Sequence, residues 1–269
     1  MKLNIVPART GITWAKLGVQ TFFKQPLALA GLFFMFMALL SVAAFLPYLG
    51  SALALALLPA ATLGLMAATL ESTRGKFPMP SILISAFRAG QQRKRAMLIL
   101  GLMYAVAFLC MMGLTALIDG GQFARLYLLG GKISEELVSQ GDFQLAMWAA
   151  MLMYLPLSLL FWHAPALVHW HGVSPAKSLF FSFMACYKNF GALTVFALVW
   201  VALFFVMALV VALLATLLGN PEFATVAMFP AAMLMVSMFF TSLYFTFRDS
   251  FVADEDSPES TPHLVDISA

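Results

Sequence analysis

Three of the four histidines in this chain, His163, His169 and His171, lie within nine residues of one another. Neutral imidazole binds zinc and copper, so the cluster makes a membrane metalloenzyme one hypothesis. A zinc site needs three or four ligands, however, and no Cys, Asp or Glu lies near these histidines in sequence. Trp and His rings are also expected beside the end of a membrane span. The histidines are therefore weak metal candidates, and we predict no metal and no cofactor.

Motifs for other chemistry are missing from the sequence. It contains no phosphate-binding loop, no GxGxxG and no HExxH, and no Ser or Cys has the surroundings of a nucleophile. Ionisable residues inside membrane spans mark proton relays and ion sites, and only His163 approaches that description. We therefore predict that the protein is not an enzyme, has no catalytic residue and does not carry out ion-coupled transport.

The elements that hold these residues are predicted to be membrane spans. The chain is 62% hydrophobic and 10% charged, whereas soluble domains are about 45–50% apolar and about 25% charged. About 20 apolar residues cross a hydrocarbon core of roughly 30 Å. Six stretches of at least that length have no Asp, Glu, Lys or Arg: 27–46, 49–70, 96–118, 145–168, 191–218 and 226–247. We predict an all-α, polytopic helical bundle forming one membrane domain, 1–248, followed by an acidic, disordered cytoplasmic tail, 249–269.

Lysine and arginine fall almost entirely on one side of these spans. Thirteen of the fifteen lie in segments on the side of the termini, and only Arg125 and Lys132 lie on the other side. The positive-inside rule therefore predicts that both termini face the cytoplasm. The basic run 93–95 adjoins a span, so topology explains it, and we predict no nucleic-acid binding.

A short amphipathic segment precedes each odd-numbered span. In the first, Lys16 and Lys24 share one face and Trp14 lies on another, while the second and third begin near Pro80 and Pro175. We predict three interfacial helices, and a threefold internal repeat of surface helix plus hairpin. Their cations are predicted to contact the headgroups of membrane lipids, chiefly anionic phospholipid: Lys16, Lys24, Arg88, Arg93, Lys94, Arg95, Lys177 and Lys188.

Small residues occupy every fourth position of the second span. The row comprises Ala52, Ala56, Ala60, Gly64 and Ala68. Helices in lipid associate by close van der Waals packing, which small residues permit. We predict that this span lies at the centre of the bundle, although the same row could serve a homo-oligomer.

Five segments carry a resemblance to a known family: Val6–Arg9, Lys24–Leu27, Leu58–Gly64, Trp162–Val173 and Lys177–Ser182. The chain resembles an uncharacterised family of six-span inner-membrane proteins of beta-proteobacterial type. More distantly, the layout of surface helix plus hairpin resembles the membrane region of some glycerophosphodiester phosphodiesterases, whose catalytic domain has no counterpart here. The resemblance implies a bacterial inner-membrane location and supplies no activity or site residues.

Two functional hypotheses remain besides the metalloenzyme. The leading one is a non-enzymatic membrane protein that interacts with lipid or with a partner membrane protein. The alternative is a channel or carrier for a neutral or lipidic substrate, suggested by a proline inside each even-numbered span. It predicts a lateral opening toward lipid or a polar path built from Thr62, Thr69, Ser158, Thr241 and Ser242.

Overall fold

The computed structural model describes residues 2–46 and 49–252. In chain order the elements are β1 (Lys2–Leu3), α1 (Thr10–Lys24), α2 (Pro26–Ala44), α3 (Gly50–Thr73), a 3₁₀ helix (Pro80–Phe87), α4 (Gln91–Asp119), α5 (Gln122–Leu129), α6 (Glu135–Ser139), α7 (Gly141–Phe161), α8 (Ala164–His171), α9 (Pro175–Lys188), α10 (Phe190–Leu217), α11 (Pro221–Ser250) and β2 (Phe251–Val252). Within these described ranges, six spans are long and apolar enough to cross a membrane, which confirms the predicted all-α, polytopic bundle.

The fourth span is not one helix over 145–168, as predicted. It breaks at residues 162–163 into α7 and α8. Pro165 lies in the first turn of α8, where a backbone N–H has no helical partner, so the N–H that proline lacks is not missed. The Ser182 hydroxyl of α9 enters the break, accepting from the His163 N–H at 2.9 Å and donating to the Leu159 carbonyl at 2.8 Å. These two groups would otherwise bond each other across one helical turn, so the inserted hydroxyl satisfies both.

The folded part of the chain also extends past the predicted boundary after Arg248. Helix α11 continues to Ser250, and β2 pairs antiparallel with β1, with Lys2 opposite Val252. The boundary of the predicted tail was therefore four residues too early, and the rest of that tail, 253–269, lies outside the described residues. Both described chain ends consequently meet at one end of the bundle. We name this the basic end; the opposite, loop end carries α5 and α6.

Each surface helix at the basic end packs against an even-numbered span of a different hairpin. Helix α1 packs against α11, the 3₁₀ helix against α3, and α9 against α7. The surface helix of each predicted repeat thus packs against the hairpin of the repeat before it, and that of the first repeat packs against the hairpin of the third. The second of these helices is 3₁₀ rather than α-helical and only eight residues long.

The apolar faces of the surface helices do not all turn the same way. In α1 the row Trp14, Gly18 and Phe22 is buried against protein rather than lipid. In α9 the buried face is formed by four small side chains, two serines, an alanine and a cysteine at 178, 182, 185 and 186, whereas Phe180 and Phe181 are exposed. Phenylalanine faces outward there because the surroundings of a membrane protein are as apolar as its interior.

Helix α3 is the most deeply buried span, with 56% of its most apolar window inside the protein, against 11% for α10. Ala60, Gly64 and Ala68 are buried, and Ala52 and Ala56 are half-buried. A Cβ at Gly64 would lie 2.7 Å from the Leu83 Cα of the 3₁₀ helix, so only glycine fits there. A Cβ at Gly101 of α4 would meet the Ala56 carbonyl oxygen. This part of the row therefore contacts the chain's own helices.

Candidate functional site

The structure separates the three histidines by environment. His163 is 1% exposed, and its ring lies 5.9 Å from that of Phe247 and 5.5 Å from that of Phe251. At the end of α8, His169 is half-buried and His171 is exposed. Among residues 2–46 and 49–252, no three or more His, Cys, Asp or Glu side chains come together as a metal site would require. The structure does not bring the predicted metal candidates together.

One cleft at the basic end gathers two of the predicted lipid-contacting cations. It has a volume of ≈ 580 Å³ and lies between the start of α4 and the connection from α8 to α9. Arg93 and Arg95 line it, and Ile99 and Val168 provide part of its apolar wall. Gly172 closes α8 in the left-handed region, at φ 63°, and lets the chain turn around the cleft. We name this the arginine cleft.

The arginine cleft also offers neutral donors. Gln91, Gln92 and Ser174 complete its polar lining, at the first turns of α4 and α9, where backbone N–H groups have no helical partner. The remaining predicted headgroup contacts are spread over the basic end. Arg88 lines a second cavity, and the other five are exposed outside both cavities: Lys16, Lys24, Lys94, Lys177 and Lys188.

The second cavity at this end has a volume of ≈ 460 Å³ and is lined by both signs of charge. Glu71 comes from the last turn of α3, Arg88 follows the 3₁₀ helix, and His169 comes from α8. The Ser85 Oγ and His169 Nδ1 atoms of its lining are buried and have no hydrogen-bond partner within the described part of the chain. We name this the Glu71 cavity. Sequence reasoning missed it because its residues lie on three separate elements.

Two further cavities lie between the spans, with volumes of ≈ 380 and ≈ 580 Å³. They share Leu155, Ser158, Trp162, Phe239 and Phe240 and are lined mainly by apolar and aromatic side chains. One lies among α3, α4, α7 and α11, and the other among α7, α10 and α11. We name the region between α7 and the α10–α11 pair the open seam.

The five hydroxyls of the predicted polar path do not lie together. Thr62 and Ser158 line the smaller cavity, but none of the other three lines either cavity. Those three donate to carbonyls of their own helices, Thr69 to Leu65, Thr241 to Ser237 and Ser242 to Phe239. The structure thus contradicts a polar path built from this set.

The cysteine at the basic end is not set up as a nucleophile. Cys186 is fully buried in α9 beneath the break of the fourth span. Burial raises the pKa of its thiol to about 12, although a hydrogen bond with Ser182 acts in the opposite direction. At neutral pH the side chain is therefore the protonated thiol, which is a poor nucleophile.

A relative in Burkholderia thailandensis, named "Probable inner membrane protein", is 35% identical to this chain over 269 residues. The match covers 99% of this chain and 100% of the relative. The chain belongs to that family. It is a multi-pass inner-membrane protein, as its six spans also indicate. No family model and no solved structure matches the chain, and the distant likeness to glycerophosphodiester phosphodiesterases receives no support.

Proposed function

We propose that the protein is a non-enzymatic inner-membrane protein that binds anionic phospholipid in the arginine cleft, with its basic end and both termini in the cytoplasm. The single observation behind this proposal is the composition of the cleft. Arg93 and Arg95 share it with the apolar side chains of Ile99 and Val168. A phospholipid has the same two parts, a phosphate and acyl chains.

The arginines match the phosphate chemically. Guanidinium donates two parallel hydrogen bonds to phosphate oxygens, which a lysine ammonium does less specifically. Gln91 and Gln92 add amide donors beside them. Ile99 belongs to a span, so the acyl chains of a lipid held here would continue along α4 into the bilayer.

The charge distribution supports the proposed orientation. Thirteen of the fifteen Lys and Arg lie at the basic end, and the cytoplasmic leaflet carries the anionic lipids that attract them. Each cation near that surface contributes about 1 kcal/mol of attraction. The eight predicted headgroup contacts are all exposed, so they can reach the leaflet while the cleft selects one lipid.

The test compares two double variants in nanodiscs containing phosphatidylglycerol. Arg93→Gln with Arg95→Gln removes two charges from the cleft, and Arg125→Gln with Lys132→Gln removes two exposed charges from the loop end. The cleft variant is expected to retain roughly tenfold less phosphatidylglycerol by native mass spectrometry, because charge-assisted hydrogen bonds are lost. The loop-end variant should behave as the wild type. Equal retention in both would contradict the proposal.

A second candidate function is a carrier for a neutral lipidic substrate, favoured by the apolar cavities of the open seam. Ala197 lines the larger one, whereas Ala212, also exposed and on the same helix, lines neither cavity. In proteoliposomes, transfer of a fluorescent diacylglycerol should fall with Ala197→Trp and stay unchanged with Ala212→Trp. Absence of transfer by the wild-type protein would exclude this candidate.

A further inference from the structure

The Glu71 cavity contains two opposite charges that do not neutralise each other. Glu71 and Arg88 both line it, yet within the ranges described no ion pair joins them or connects either to another residue. Charged side chains at a protein surface are commonly left to water. Here they face one cavity of ≈ 460 Å³, within the size range of small-molecule sites.

Two neutral polar atoms of the same lining also lack partners. The Ser85 Oγ and His169 Nδ1 atoms are inaccessible to water and have no hydrogen bond to any described group. Folded proteins leave few such atoms, because an unmade buried hydrogen bond costs the full desolvation of the group. Both residues line the cavity together with Glu71 and Arg88, so rotation of either side chain would turn its unpartnered atom toward a polar ligand there.

We infer that the Glu71 cavity binds a phosphoethanolamine group, either as a phospholipid headgroup or as a soluble compound. The phosphate would accept hydrogen bonds from Arg88 and the Ser85 hydroxyl, and the primary ammonium would donate to Glu71. His169 would donate a hydrogen bond from Nδ1 to a phosphate oxygen. This inference goes beyond the proposed function, since it concerns another cavity and another headgroup.

The charge pattern discriminates among headgroups. A phosphate with no cation would leave its negative charge facing Glu71, and a cation with no phosphate would face Arg88. A phosphocholine group carries both charges, but its trimethylated nitrogen has no N–H to donate to Glu71. Met79 and Ile82 line the same cavity and would contact the first carbons of a lipid's acyl or glycerol part.

The full-length protein in nanodiscs tests the inference, with lipid retention measured by native mass spectrometry. Wild-type protein should retain phosphatidylethanolamine about tenfold better than phosphatidylcholine, because one charge-assisted hydrogen bond distinguishes them. Glu71→Gln should abolish that preference, whereas Glu222→Gln, which removes an exposed acid at the loop end, should preserve it. Equal retention of the two lipids by the wild type, together with no saturable binding of soluble phosphoethanolamine, would overturn the inference, as would a lipid preference that is unchanged in Glu71→Gln.

A second variant keeps the inference testable if the Glu71→Gln protein misfolds. Arg88 is exposed, so Arg88→Gln leaves the packing intact, and it should lower retention of phosphatidylethanolamine by roughly the same factor. Normal retention in a folded Arg88→Gln protein would also overturn the inference.

Soluble phosphoethanolamine distinguishes the two sources of the group. Saturable binding that depends on Glu71 identifies a soluble compound, and retention of the lipid without such binding identifies a headgroup; either result supports the inference. The Arg93→Gln, Arg95→Gln protein separates it from the proposed function. That protein should lose phosphatidylglycerol and keep phosphatidylethanolamine, so one proposal can fail while the other stands.

Discussion

Helix α11 borders two regions of opposite packing, the contact with α1 and the open seam. Against α1 the backbones approach so closely that a Cβ at Gly18 would lie 2.8 Å from the Cα of Ser242. We name this contact the close seam. In the open seam the same helix presents Phe239 and Phe240 to cavities of ≈ 380 and ≈ 580 Å³. Small residues bring helices together, and large rings separated by gaps hold them apart.

The close seam is also tied by polar contacts. The Trp14 indole Nε1 donates to Asp249 Oδ2 at 2.9 Å. Beside the close seam, Asn189 at the junction of α9 and α10 accepts from the Val6 N–H at 2.8 Å and donates to the Asn4 carbonyl at 2.9 Å. The N-terminal segment and α1 are therefore fixed to α11 and to the junction of α9 and α10, whereas the open seam contains cavities. One side of α11 is therefore closely packed, and the other side borders cavities.

The largest expected effect comes from breaking the close seam with Gly18→Leu. The new side chain would collide with the backbone of α11 rather than with a movable side-chain end. We expect a loss of about 3 kcal/mol or more in the free energy of unfolding, or failure to fold. Thermal unfolding in detergent measures it. Gly31→Leu is the matched control, since no atom lies within 4 Å of a Cβ there, and an equal loss in both variants would contradict the assignment.

A smaller effect is expected from Ser182→Ala at the break of the fourth span. The buried His163 N–H would lose its partner, and the Leu159 carbonyl would keep only the weak donor Cys186 Sγ at 3.7 Å. We expect a loss of about 1–3 kcal/mol. Ser178→Ala on the same helix removes a hydroxyl bonded only to the Pro175 carbonyl of its own helix. Ser178→Ala should lower the free energy of unfolding clearly less than Ser182→Ala in the same thermal assay. Equal losses would show that the inserted hydroxyl is unimportant.

The six spans could be predicted from sequence because each depends on a local property, an apolar stretch without charge. The break at Trp162–His163 has a local signal in Pro165, but the contact with Ser182 could not be predicted, because that side chain approaches from another helix. The spacing of Ser178, Ser182 and Cys186, one helical turn apart, was the signal for the Ser182 contact. That row lies on the buried face of α9. The apolar periodicity of the sequence would instead predict that the phenylalanines form the buried face.

For the candidate sites too, features that depend on local sequence could be predicted, and features that depend on contacts between elements could not. The basic residues of the arginine cleft are predictable because Arg93 and Arg95 adjoin a span, where charge alone indicates lipid contact. The Glu71 cavity depends on which elements fold together, since α3, the 3₁₀ helix and α8 each supply part of it. No spacing in the sequence joins Glu71 to His169.

The smallest expected effect compares the same added volume at the two seams. Ala15 is 1% exposed in the close seam, among Trp14, Phe196 and Phe245, whereas Ala197 lines the larger cavity of the open seam. Ala15→Leu should cost about 1–3 kcal/mol through overpacking. Ala197→Leu should stay within about 0.5 kcal/mol of the wild type, because the added carbons enter existing space. Equal destabilisation in thermal unfolding would mean that the seam is closed, and the carrier hypothesis would lose its structural basis.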